Sequence, residues 1–188
     1  MKKAGISMLL FISLVVIVSC SSKSDNEPAM NLPEVQIIAN GTELQVQSRA
    51  LSEYDDSNTD LFKSMVATAD ASTIPYIELG SAVEIILHNI TPDSYRLTEY
   101  ILNNDGSLKY APSPEEAPQD SMMISFQEGS GAFILKPHPM ALLSSQSTDY
   151  NPGATIRGFR FVTNTAGQMK EYAFVLRSDA TAQDHRTE

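Results

Sequence analysis

Asn40-Gly41 stands between two short runs in which apolar and polar residues alternate, residues 34–39 and 42–47. Both turn residues tolerate positive φ, and a two-residue turn of that kind matches the twist of antiparallel neighbours, so the pair predicts a β-hairpin. The pattern then recurs along the chain. Residues 82–88 set Val83, Ile85 and Leu87 against Glu84, Ile86 and His88. Residues 95–102 and 107–110 flank Asn103-Asn104-Asp105-Gly106, which predicts a second hairpin. Residues 122–126 and 132–135 flank a turn containing Gly129-Ser130-Gly131. Residues 154–162 and 170–177 make a last hairpin through Asn164-Thr165-Ala166-Gly167. Many short strands separated by turn residues predict an all-β fold, an antiparallel sandwich.

One stretch breaks the two-residue rhythm. Leu61, Phe62, Met65, Val66 and Ala69 recur at helical spacing, which predicts a short helix in the 59–70 insert with Asp60 as its N-cap. Residues 111–119 carry three prolines and read as a loop, as do residues 144–153. Pro137-His138-Pro139 breaks the chain and fits a kinked edge or a cis peptide.

The N-terminus obeys different rules. Lys2 and Lys3 precede an apolar run from Ile6 to Val18. At 1.5 Å per residue its roughly 13 residues reach about 20 Å as a helix, short of the roughly 30 Å hydrocarbon core of a bilayer. A basic start, a short apolar middle and small residues at the end form a secretory signal. The run closes Ile17-Val18-Ser19-Cys20, which resembles the lipobox of bacterial lipoproteins. That resemblance implies diacylglycerol attached to the Cys20 sulfur and cleavage between Ser19 and Cys20. Two acyl chains, at about 0.8 kcal/mol per buried CH₂, hold a protein firmly to a membrane where one would not. Residues 20–33 are polar and lack apolar periodicity, so they read as a flexible lipidated linker. The expected organisation is therefore a signal peptide over 1–19, that linker, one sandwich domain over 34–178 and a polar tail over 179–188.

The chain carries 13 basic against 23 acidic side chains, a net charge of −10. Loss of Lys2 and Lys3 with the leader leaves 11 basic side chains and a charge of −12. A nucleic-acid partner needs a basic stripe, and this balance argues against one. The single cysteine, consumed as an anchor, leaves no disulfide for the domain, and Trp is absent. An ordinary core of Phe, Tyr, Met and aliphatic residues must hold the fold.

Chemistry is sparse. His88, His138 and His185 are widely separated with no cysteine near them, so no zinc site is expected. Asp56-Ser57-Asn58-Thr59-Asp60 places oxygen ligands at alternate positions, but Leu61 and Ala67 stand where an EF-hand loop needs Gly and Glu. A plain solvated loop is the expectation, with calcium at residues 55–60 left open. Gly-x-Ser-x-Gly, Ser-x-x-Lys and His-Glu-x-x-His do not occur, and neither does a phosphate loop or dinucleotide fingerprint. Glu115-Glu116 lacks the fixed separation that glycoside hydrolysis requires and reads as an exposed charge pair. Asn40-Gly-Thr42 and Asn89-Ile-Thr91 match glycosylation acceptors that a bacterial lipoprotein gives no reason to use. Tyr95, Tyr100, Tyr110 and Tyr150 suit either a contact surface or a half-buried place in a sandwich.

The Asn40-Gly41 hairpin and a final strand with Tyr172-Ala173-Phe174-Val175 resemble small lipoproteins of Gram-positive bacteria that carry an Ig-like domain of unknown function. The likeness spans residues 33–178 and implies an Ig-like sandwich, with no chemistry attached. The expected role is a noncatalytic binding or interaction module of the cell envelope. It is anchored through diacylglyceryl-Cys20 on the extracytoplasmic side of the cell membrane, or on the outer membrane of a diderm. Its expected partner is an envelope protein or a cell-wall polymer, and no cofactor is expected. The competing readings are a structural or assembly accessory of a membrane complex and, behind it, an enzyme.

Overall fold

The computed structural model describes residues 34–54, 58–69, 73–110 and 121–181. Ser19, Cys20, the linker, the Glu115-Glu116 loop and His185 lie outside them. Nine strands alternate with one helix and two 3₁₀ turns: β1 Val35–Ala39, β2 Thr42–Leu44, β3 Val46–Leu51, α1 Asp60–Thr68, β4 Ala82–Leu87 and β5 Ser94–Leu102. Then come β6 Ser121–Met122, β7 Ser130–Ile134, 3₁₀ turns at Pro139–Leu143 and Ser147–Tyr150, β8 Thr155–Thr165 and β9 Gln168–Ser178. They form two antiparallel sheets, one ordered β2-β1-β4-β7 and the other β3-β9-β8-β5-β6. This is the antiparallel β-sandwich with one short helix that the sequence predicts. The neighbours β1-β4-β7 and β9-β8-β5 follow the A-B-E and G-F-C order of immunoglobulin-like domains.

Alternation places the core. Val35, Ile37 and Ala39 of β1 and Val83, Ile85 and Leu87 of β4 point inward from one sheet. Leu97, Phe159, Phe161, Tyr172, Phe174 and Leu176 meet them from the other. With no Trp, stacked phenyl rings fill the gap: Phe159 lies on Phe174 at 4.8 Å, and Phe133 reaches Phe159 at 5.5 Å.

The second face of the larger sheet is also covered. Phe62, Met65 and Val66 recur at helical spacing on α1 and pack on Tyr100, Leu102, Ile156, Ala173 and Val175. Gly158 lets the helix approach, because a Cβ there would lie 2.8 Å from Leu102 Cδ1 and 3.0 Å from Phe62 Cε1. Beneath the start of the helix sits a buried charge cluster. Glu171, 1% exposed, faces Arg49 at 2.6 Å and Arg160 at 2.8 Å, and the Arg160 guanidinium also donates to the Asn58 carbonyl. Arg160 lies 5.3 Å from the centre of the Tyr100 ring. A second buried pair joins Arg157 of β8 with Glu99 of β5. Burial pushes the Arg157 guanidinium down from its ordinary value, and the Glu99 carboxylate opposes that shift.

Several expectations change in detail. The cap of α1 is Thr59, with no side-chain cap bond; Asp60 is already in the first turn, its N–H donating to Asn58 Oδ1 at 3.1 Å. The strand after the first hairpin breaks at Gln45, where the chain leaves one sheet and β3 joins β9 of the other. Residues 107–110 do not form a strand; a single bridge joins Leu102 to Leu108. The reason is local: the Asn103 amide donates to Ser107 Oγ and the Leu108 carbonyl, and Asp105 binds the Ser107 N–H. Only Ser121–Met122 of the next stretch pairs, because residues 123–126 cross between the sheets and drop Ile124 into the core. The last hairpin turns more tightly than the four-residue signal suggests, through Ala166 (φ 50) and Gly167 (φ 79) alone. Past residue 178 the chain is still packed: Asp179 and Ala180 are buried, and Asp179 binds the Gly153 N–H and the Tyr76 hydroxyl. The polar tail therefore begins after 180. Among the described residues, no helix is long and apolar enough to cross a membrane, which says nothing about strands.

Candidate functional site

At one end of the sandwich, β4, β5 and the turn before β7 converge on an open cleft of about 530 Å³. Three backbone devices shape it. Asn89, just past the end of β4, sits at φ 58 and turns the chain over the mouth through Ile90, Thr91 and Pro92. Glu128 (φ 51) and Gly129 (φ 83) make a two-residue turn closed by Gln127 and Ser130, whose N–H groups each donate to the other's carbonyl. The Gly129 carbonyl also accepts from the Leu87 N–H at 2.7 Å, which ties this turn to β4. Non-glycine residues in the left-handed region are uncommon, and a glutamate is less at ease there than an asparagine.

Aromatic rings make the wall. Tyr95 keeps 39% of its surface exposed, while its hydroxyl donates to the Ile124 carbonyl and fixes the ring. Phe126 meets Tyr95 at 4.8 Å with the planes crossed at 76°. Behind both stands buried Phe161, 6.1 Å from Tyr95 and 5.8 Å from Phe126. Gly131 makes room for this arrangement, since a Cβ there would lie 2.7 Å from Ile124 and 3.1 Å from the Phe126 ring. The wall is thus continuous with the core, against which Phe126 packs. Among the described lining residues, exposed Glu128 supplies the one charged side chain, and Asn89 and Thr91 supply neutral polar groups.

The cleft lies beside Glu34, the first described residue. The Glu34 carbonyl accepts from the His88 N–H at 2.8 Å, between Leu87 and Asn89 of the lining. The Glu34 carboxylate binds Lys170 and the Tyr172 hydroxyl, and these two bonds, Lys170 first, hold it below the usual carboxylate range. Burial, then the Glu34 carboxylate, pushes the Tyr172 phenol well above an ordinary tyrosine.

The other residues singled out by sequence take structural places. Tyr100 is buried under α1, and Tyr150 donates to the carbonyls of Leu142 and Ser144. Tyr110 packs with Ile101, Ala141 and Met140. His88 meets Gln36 Oε1 at 3.2 Å, and His138 caps the first 3₁₀ turn by accepting from the Met140 N–H. No peptide bond in the described residues is cis. Of the acidic loop, residues 55–57 lie outside the description. Asn58 already faces Arg49 and Arg160, which disfavours a cation there. Among the described residues, no group of three or more His, Cys, Asp and Glu side chains is placed to hold a metal.

Sequence reasoning picked out Tyr95 but missed Phe126, which read as strand, and treated Asn89 only as a glycosylation acceptor. The usable signal was Glu128-Gly129, a two-residue turn with an ill-suited first residue. The chain matches no known protein family, no curated protein and no solved structure.

Proposed function

We propose that this chain is a lipid-anchored, extracytoplasmic binding module of the bacterial cell envelope, tethered through diacylglyceryl-Cys20, that binds its ligand in the Tyr95–Phe126 cleft. The carrying observation is the half-exposed Tyr95 ring, locked by its hydroxyl and backed by Phe126 and Phe161 beside an open volume of about 530 Å³. Volumes of that size with mostly apolar walls and a few fixed polar groups suit small ligands or the tip of a larger one. Glu128 is the one carboxylate among the described lining residues, which supports recognition rather than turnover.

The test is a thermal-shift screen of small cell-envelope components, read on the wild type and on Tyr95→Leu. Binding to the folded state must raise the melting temperature. The reading expects at least one compound whose shift disappears in Tyr95→Leu. Shifts that survive the substitution would place the binding elsewhere.

An accessory role in a membrane complex has its own support. Met123 is 98% exposed and Ile134 50% exposed beside a second opening of about 360 Å³ between the sheet edges, lined by Phe133, Pro137 and His138. Stoichiometric co-purification with a membrane assembly, lost in Ile134→Lys, would favour that role.

A further inference from the structure

The chemistry of the cleft narrows what it takes. We infer that the cleft recognises a compact organic cation, an alkylammonium group; the inference rests on the cleft's being the ligand site. Four observations converge on that class.

Charge comes first. Among the described lining residues Glu128 is the one charged side chain, and Lys170 is paired with the carboxylate of the cleft's neighbour Glu34. A phosphate or carboxylate entering the cleft would meet a like charge at Glu128, with no basic side chain among the described lining residues. The whole chain, at −10, attracts cations and repels anions at longer range.

Ring geometry comes second. Tyr95 and Phe126 cross at 76°, so they form two walls and not one flat platform. A sugar ring stacks best on a single broad face, whereas a small cation gains from each ring face within about 6 Å of its centre. Third, the neutral polar groups at the mouth, Asn89 and Thr91, offer oxygen acceptors to an N–H or O–H on the ligand's tail. Fourth, the wall cannot collapse into the cleft, because the Tyr95 hydroxyl is fastened to Ile124. The ring positions therefore exist before the ligand arrives, which lowers the ordering cost of binding.

Choline is a suitable probe, because 3,3-dimethylbutan-1-ol has the same shape without the charge. The acylated full chain, in a polyoxyethylene detergent, is titrated to millimolar concentrations of each while melting temperature and tyrosine fluorescence are followed. Choline is expected to raise the melting temperature, and the neutral isostere to do so at least about tenfold less effectively. Tyr95→Leu should weaken choline about tenfold or more, while Tyr95→Phe, which keeps the ring but loses its bond to Ile124, should fall between that variant and wild type. Glu128→Gln, which removes an exposed charge, should weaken it about two- to fivefold and flatten its salt dependence. The ammonium group is found free or on a lipid headgroup. Phosphatidylcholine vesicles that compete with choline, where phosphatidylglycerol vesicles do not, assign the lipid source; choline binding without such competition assigns the free one.

Equal shifts from choline and its neutral isostere would overturn the cation class and leave the cleft as a ligand site. So would a shift from methyl β-glucoside alone that Tyr95→Leu abolishes. No Tyr95-dependent shift from choline, isostere or glucoside overturns the cation class, and the wider envelope screen then decides the cleft itself.

Discussion

Replacing Glu171 with Gln tests how the helix is fastened to the sheet. Glu171 is 1% exposed and is the shared partner of Arg49 and Arg160. The amide keeps the shape and removes the charge, which leaves two guanidiniums facing a neutral group. Breaking a buried pair from one side costs about 3–5 kcal/mol, because the remaining charge stays desolvated. Two features pull the expected cost to the lower end, about 3 kcal/mol. Arg49 is 26% exposed and can rehydrate, and it retains Asn58 Oδ1; Arg160 retains the Asn58 carbonyl and the Tyr100 ring. For a domain of this size each kcal/mol moves the melting temperature by about 2–4 °C, so the variant should melt roughly 6–12 °C lower. Urea unfolding followed by far-UV circular dichroism measures it, with the slope against denaturant unchanged if the unfolded state is unaffected. The double variant Arg160→Met with Glu171→Gln should recover part of the loss, since the deeply buried orphan charge is gone. A single-variant loss below about 1 kcal/mol would mean that the cluster is wet and that α1 is held by apolar packing alone.

Three further outcomes follow from the same geometry. Ala166→Asn should stabilise the domain by about 0.5–1 kcal/mol, because asparagine tolerates the left-handed conformation that costs alanine about 1–2 kcal/mol; the urea midpoint checks it. Gly131→Ala should cost about 1–3 kcal/mol by overpacking and also weaken ligand binding, since the added methyl group pushes on Ile124 and the Phe126 ring. A loss of stability without a loss of binding would show that Phe126 is not part of the site. Lys109 and, after it, Ser144 hold the Asp149 carboxyl below its ordinary range. Its folded value is thus the lower one, so its stabilisation is complete above about pH 4 and fades as pH falls through the folded value. Asp149→Asn should lose about 0.5–1 kcal/mol at neutral pH and nothing in strong acid, compared by urea midpoints at the two pH values.

The fold was largely legible because a sheet residue's burial follows a period of two. Val83, Ile85 and Leu87 announced β4, and Asn40-Gly41 announced its hairpin, from neighbours alone. The helix was equally plain from Phe62, Met65 and Val66. What periodicity cannot carry is which sheet a strand joins, so the crossing at Gln45 and the passage of residues 123–126 were invisible. The charge cluster was hidden for a related reason. Arg49, Arg160 and Glu171 lie far apart in sequence and meet only because β3 pairs with β9 and β9 with β8. The cleft was the least legible feature. Its rings come from β5 and from a crossing segment, and nothing local links Tyr95 to Phe126. Asn164-Thr165-Ala166-Gly167 marked a turn, but alanine in a left-handed position gave no sign of how tight it is.

The most direct test of a tethered binding module is made in cells. A photo-crosslinking residue at Thr91, on the rim of the cleft, is compared with one at Leu143, which is exposed in the first 3₁₀ turn. Each is placed in the chain with Cys20 intact and in Cys20→Ser. A discrete adduct from position 91, absent from position 143 and diminished in Cys20→Ser, is the predicted result. Equal adducts from both positions, or an adduct at 91 indifferent to Cys20, would contradict the account.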